Sequence, residues 1–191
     1  AGEFSDAPWA FVGVSSPEEA FVRLFEFYNA STGHYFVAST NQLAEIRDLD
    51  TGVHARWFRT GKSFYAYAMS RWERLQVCRF YIPPGYGDSH FYSASPAECE
   101  ETHNKFPHLI YESVDLFGFR LPDATTGACD AKAIPVYRLW NNRPDSNHRY
   151  TTDTRAVDQM TAQGWIAEGY GAGPYRPVMC GPTSLAPPTM D

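Results

Sequence analysis

Histidine recurs beside flat rings in three short strings: Gly33-His34-Tyr35-Phe36-Val37-Ala38-Ser39, Ser89-His90-Phe91-Tyr92-Ser93-Ala94-Ser95 and Asn147-His148-Arg149-Tyr150-Thr151-Thr152-Asp153. An imidazole so placed can donate to a ligand hydroxyl or carboxylate, or it can bond a loop carbonyl and hold its own segment together. Three copies in register favour the second role, so His34, His90 and His148 are expected to be mainly structural. Just before each histidine lies a polar loop of variable length, Asn29 to Gly33, Gly85 to Ser89 and Asn141 to Ser146, headed by Tyr28, Tyr81 and Trp140. Exposed loops on a rigid scaffold are where recognition usually resides. A ring there can stack on the apolar face of a sugar while Asn, Asp and Arg contact its hydroxyls. The candidate ligand-binding residues are therefore Tyr28, Asn29, Tyr81, Tyr86, Asp88, Trp140, Asn142, Arg143 and Asp145. Trp57 and Trp165 are read as core. Glu98, Glu100 and Glu101 are read as a solvated helix face near a helix N-terminus.

The chain carries no Gly-x-Ser-x-Gly, His-Glu-x-x-His, phosphate loop or dinucleotide fingerprint. Catalysis needs one asymmetric constellation, whereas the polar residues here recur in triplicate, an arrangement that suits a binder drawing avidity from several weak sites. No cofactor is expected. Lys and Arg number 16 against 22 Asp and Glu, a net charge of -6 that offers no basic face to nucleic acid. The longest apolar run, Phe64 to Met69, is far shorter than the roughly 20 residues of a membrane span, so no membrane insertion is expected. A chain that starts at Ala1 without Met reads as a matured or excised fragment. Aromatic residues make up 16%, so the chain either packs a ring-rich core or presents rings to a ligand.

Stepping outward from the histidines, the neighbouring strings recur in the same order. Glu26-Phe27-Tyr28-Asn29, Arg79-Phe80-Tyr81-Ile82 and Arg138-Leu139-Trp140-Asn141 precede them, and Trp57-Phe58-Arg59-Thr60-Gly61, Leu109-Ile110-Tyr111-Glu112-Ser113 and Trp165-Ile166-Ala167-Glu168-Gly169 follow. The ring-rich stretches read as strands. Ser39, Ser95 with Pro96, and Asp153 or Thr154 read as helix starts, Leu43 and Ile46 or Val157 and Met160 as one buried helix stripe, and Gly164 as a helix stop. The expectation is an α+β fold of three ββαβ repeats of about 45 to 58 residues, packed around one core with pseudo-threefold or stacked geometry. Residues 1–20 are a lead-in, with Trp9 and Gly13 as a possible tail of a fourth copy, and repeats occupy 21–70, 71–121 and 135–180. Residues 122–134 form a linker and 181–191 an unstructured end.

Four cysteines allow three pairings. In the repeat alignment Cys78 takes the place of Phe25 and Tyr137, and Cys99 that of Leu43 and Val157, which are facing positions if the first strand packs on the helix. That selects Cys78 with Cys99, leaving Cys129 and Cys180 to staple the ends of the third unit. Their spacings lack the short Cys-x-x-Cys pairs of zinc sites, so disulfides are favoured and no metal is expected. Disulfides imply an oxidising compartment, hence a secreted protein, extracellular or periplasmic.

Val136-Tyr137-Arg138-Leu139-Trp140-Asn141, His148-Arg149-Tyr150-Thr151-Thr152 and Trp165-Ile166-Ala167-Glu168-Gly169 resemble a tandem-repeat domain family of undefined function, whose units read Val-Tyr-Arg-Leu-Tyr-Asn, His-Phe-Tyr-Thr and Trp-x-Tyr-Glu-Gly. The resemblance covers about residues 21 to 180. Arg59-Thr60 and Leu109 depart from the pattern in the first and second units. Such units are appended to secreted bacterial lysozymes, peptidases and surface proteins and occur alone in fungi, which implies attachment to glycans or cell envelopes. The combined expectation is a non-catalytic binding module for carbohydrate or a cell-surface polymer. The alternatives are a protein–protein or adhesion module and a small secreted hydrolase.

Overall fold

The computed structural model describes residues 21–39, 57–68 and 75–183. Among these are ten strands and two helices: β1 (Phe21–Asn29), β2 (His34–Ser39), β3 (Trp57–Ala68), β4 (Leu75–Ile82), β5 (Ser89–Ser93), α1 (Pro96–Lys105), β6 (Ile110–Phe119), β7 (Ala133–Trp140), β8 (His148–Thr151), α2 (Thr154–Ala162), β9 (Ile166–Glu168) and β10 (Pro177–Pro182). All strand pairs are antiparallel. One sheet has six strands in the order β2-β1-β3-β6-β4-β5, and the other runs β10-β7-β8 with β9 also on β7.

This overturns the expected α+β class with its three packed ββαβ repeats. The described residues are about 50% strand and only 14% helix, in two antiparallel sheets with two short helices. The physical reason lies in strand length. β3 has 12 residues and β6 has 10, so both overrun the hairpins they close. Their far ends pair, Tyr67 with Gly118 and Ala68 with Phe117, and fuse what read as separate units into one sheet. β10, read as the end of a repeat, is a further strand on β7. The helix expected after Ser39, the Trp9 to Gly13 string and residues 184–191 lie outside the described residues, whereas Gly181 and Pro182, read as part of an unstructured end, belong to β10.

The main core sits between the sheets, where Leu24, Val37, Phe64, Val77, Tyr92, Phe117, Phe119, Val136, Tyr150 and Met179 pack together. Each large apolar side chain so buried contributes about 1.5–3 kcal/mol. Two tyrosines enter this core because their hydroxyls are satisfied. Tyr92 donates to the Val37 carbonyl at 3.0 Å, and Tyr150 accepts from the Tyr92 amide at 2.8 Å while donating to its carbonyl at 2.9 Å.

The helices are held by different means. Ser95 caps α1 by accepting from the Glu98 amide, Pro96 opens its first turn, and its buried residue is Thr102. Asp153 caps α2 by accepting from the Arg155 amide, and α2 buries Ala156, Val157 and Met160. Cys78 is joined to Cys99, tying α1 to β4, and Cys129 to Cys180, the pairing selected by alignment. The β4–β5 and β7–β8 loops dock on each other. The Ser146 amide donates to the Tyr86 carbonyl at 2.7 Å, and Ser89 Oγ donates to the Ser146 carbonyl at 2.6 Å. The approach requires glycine at position 87, where φ is +149° and a Cβ would stand 2.1 Å from the Ser146 carbonyl oxygen.

Candidate binding site

Between α1 and the β7–β8 hairpin lies a cavity of about 480 Å³. Its apolar lining includes Trp140 from the end of β7, Phe91 from β5, Phe106 and Leu109 from the chain that leaves α1, Ile82, and Tyr86 from the docked loop. The Tyr86 ring is 49% exposed and stacks on His108 at 4.2 Å between centroids. Trp140 is fixed by its indole N–H, which donates to Ser146 Oγ at 3.1 Å. A ring anchored through its N–H in the wall of a cavity can serve as a platform for a flat, partly apolar ligand.

Charged groups line the same cavity. Arg138, 4% exposed, donates from Nη1 and Nη2 to Glu98 at 3.1 and 2.6 Å and from Nε to Glu168 at 2.7 Å. Its guanidinium also lies 4.7 Å from the centroid of Phe91. Burial alone would lower the pKa of Arg138, but Tyr150, Glu98 and Glu168 around it hold it above its ordinary value. For Glu98 burial pulls upward, and the hydrogen bonds and charge of Arg138 together with Ser93 outweigh it, so its carboxyl stays below the usual range. His148 stands 3.7 Å from Glu168 through Nε2, and burial with the nearby Arg138 charge pushes its pKa down to about 3. The imidazole is neutral near neutral pH. Arg138, Glu98 and Glu168 thus form a hydrogen-bonded network of charged side chains beside a neutral His148.

The family model described as a domain of unknown function (DUF5648) matches residues 4–119 and again residues 113–180. The chain belongs to this family. The double match is compatible with a repeat-like domain. No curated protein and no solved structure matches the chain.

In this DUF5648 member the residues singled out from sequence divide into two sets. Tyr86, Trp140 and His148 line the cavity. The others stand elsewhere, and all but the exposed Asn142 are shown with protein partners. Asn29 is buried and accepts from the amide and hydroxyl of Ser31. Tyr28 packs on Tyr35 and Phe58. Tyr81 donates to Asp88 at 2.5 Å, and burial plus that carboxylate push its pKa up to about 12. Arg143 donates to both oxygens of Asp145 and to the Thr32 carbonyl, fastening the β7–β8 loop to the β1–β2 turn, while Asn142 is exposed with φ +51°. His34, 1% exposed, faces Asp145 at 3.1 Å, and His90 faces Glu112 at 3.1 Å. For Asp145, burial pulls upward and the bonds from Arg143 and His34 bring it below its usual value. The histidines thus meet carboxylates rather than the loop carbonyls expected. His90 and His148 share one register, opposite Tyr81 and Trp140, whereas His34 sits one place on, opposite Asn29, and Tyr28 pairs with Tyr35.

The sequence reading passed over Thr102, Phe106 and His108, and it placed Glu98 in a solvated helix face. Glu98 is no solvated helix face, since Arg138 holds it; Glu100 and Glu101 are exposed as read. A local signal existed for Glu98 alone: it stands three residues after the cap, where a carboxylate faces the helix start and the preceding strand.

Proposed function

We propose that the chain is a secreted, non-catalytic module that binds carbohydrate on a cell-surface or cell-wall polymer, through the cavity between α1 and the β7–β8 hairpin. The observation that carries this reading is the cavity itself: about 480 Å³, walled by the anchored Trp140 and by Tyr86, with hydrogen-bond acceptors among its lining. That is within the size range of small-ligand sites and combines a ring face for stacking with polar groups for hydroxyls. Two disulfides fit an extracellular protein, and among the described residues no helix is long and apolar enough to cross a membrane. A glycosidase needs one carboxyl kept protonated as an acid. Glu98 is held ionised by Arg138, which suits binding.

One small cavity gives weak single-site affinity, near millimolar or about -4 kcal/mol for a free sugar, and retention on a polymer through many contacts. The direct test is co-sedimentation with insoluble polysaccharides and cell-wall sacculi, comparing the parent with Trp140→Ala. Retention that is lost in the variant supports the reading. No retention on any polymer, or equal retention of both proteins, moves the assignment to a protein–protein module.

A further inference from the structure

We infer that the cavity between α1 and the β7–β8 hairpin selects sugars carrying a protonated amine over sugars carrying a carboxylate. The inference rests on the carbohydrate reading and names the ligand class within it. It follows from which hydrogen-bonding groups on the walls are already engaged. The strongest donor, the Arg138 guanidinium, uses Nε, Nη1 and Nη2 on Glu168, Glu98 and the Tyr92 carbonyl. The Trp140 indole N–H is used on Ser146. The acceptors have capacity left. The side chains of Glu98 and Glu168 remain 33% and 30% exposed, and each ionised carboxylate offers about four lone-pair positions.

His148 lines the cavity with Nε2 at 3.7 Å from Glu168, while its Nδ1 is fully buried and turned away from any ligand the cavity could hold. At the rim, Lys105 is 3.7 Å from Glu101. The cavity therefore carries three carboxylates, Glu98, Glu101 and Glu168, against Arg138 and Lys105, each of which is paired. A uronate placed against Trp140 would meet like charge with, among the described residues, no unengaged buried cation to receive it. An ammonium there meets carboxylates and aromatic faces, both of which favour a cation.

The test is titration, by calorimetry or NMR, with equal-length oligomers of glucosamine, N-acetylglucosamine, glucose and glucuronic acid, at a mildly acidic pH where the amine is protonated. The glucosamine oligomer is expected to bind about five- to tenfold more tightly than the neutral ones, and the glucuronic acid oligomer most weakly. In Glu168→Gln the preference for the amine falls to the neutral level. Glu101→Gln, on the exposed face of α1 where folding is not at stake, lowers it partway. Glucuronic acid binding as tightly as glucosamine, or an amine preference unchanged in both variants, overturns the inference while leaving the carbohydrate reading in place. A lysine-rich peptide that binds as tightly as the glucosamine oligomer overturns the sugar class. If no oligomer of any charge binds, the carbohydrate reading itself fails.

Discussion

Helix α1 faces the β7–β8 hairpin across a cavity of about 480 Å³, whereas beside α2 the corresponding ground is filled: Met160, Trp165 and Tyr35 pack in one cluster, and Arg149 joins Glu26 at 2.8 and 3.0 Å. Counted from the two caps, Glu98 corresponds to Ala156 and Thr102 to Met160. Leu109 and Trp165 likewise each stand just before the next strand. Where one junction has Met and Trp, the other has Thr and Leu. The difference teaches how an open site is kept in a small fold. The closed junction is held by packing around a buried ion pair, and the open one by a disulfide and by Arg138 reaching over to Glu98.

Breaking the closed junction at its ion pair has the largest expected effect. Glu26 is 2% exposed and Arg149 7%, and the guanidinium also covers Tyr35 at 4.1 Å from the ring centroid. Glu26→Gln leaves a buried cation without its counter-charge, which costs about 3–5 kcal/mol. Urea unfolding measures it. A loss under about 1 kcal/mol would mean the pair is hydrated and the closed junction is not the stable half.

The open junction should fail in a different way. α1 buries little of its own, so removing the Cys78–Cys99 link by a double Ala substitution costs about 3 kcal/mol and acts locally. Amide exchange should accelerate across residues 96–105 while residues 154–162 keep their protection, and polysaccharide retention should vanish with the cavity wall. Equal acceleration in both helices would show that the disulfide stabilises the whole fold and not α1.

Exchanging the equivalent residues sharpens the comparison further. Met160→Thr opens a gap in the packed cluster and costs about 2–3 kcal/mol. Thr102→Met places a side chain where the cavity gives it room, so its cost stays below about 1 kcal/mol while ligand retention is lost. Thermal melts and co-sedimentation of the two variants decide it. A Thr102→Met protein that still binds would place the ligand elsewhere.

How much of this was legible depends on how local each signal is. The caps Ser95 and Asp153 and the disulfide pairing came from residues close in sequence or matched by alignment, and the structure has them. β10 was missed because Pro177 and Pro182 argue against a strand; it is an edge strand, where missing donors are tolerated. The merging of β3 with β6 rests on Tyr67 and Ala68 meeting Gly118 and Phe117, about fifty residues away, and nothing near either end announces it. The site shows the same division. Trp140 and Tyr86 stood out as rings on loops, but the opposite wall of Glu98, Phe106 and His108 belongs to another segment. Arg143 and Asp145 look like ligand groups until the β1–β2 turn that receives them is known.

A further effect concerns pH and separates the floor of the open junction from bulk solvent. His148 has its pKa pushed down from 6.5 to about 3, chiefly by burial and then by the charge of Arg138. Between those values the unfolded chain binds a proton that the folded chain refuses, so stability falls as pH falls below about 6.5, by about 1.4 kcal/mol per unit, and the full penalty is reached only below about pH 3. By about pH 5 the loss from this one group is about 2 kcal/mol. His148→Gln keeps a polar group in place and cannot titrate, so the difference in unfolding free energy between about pH 7 and about pH 5 should be smaller in the variant by that amount. Taking the difference between the two proteins cancels the other histidines and carboxylates. If parent and variant lose stability equally, His148 protonates in the folded chain as it does in water. Arg138 then fails to exclude a second charge, and the cavity floor is wet enough that its carboxylates are weak partners for any cation.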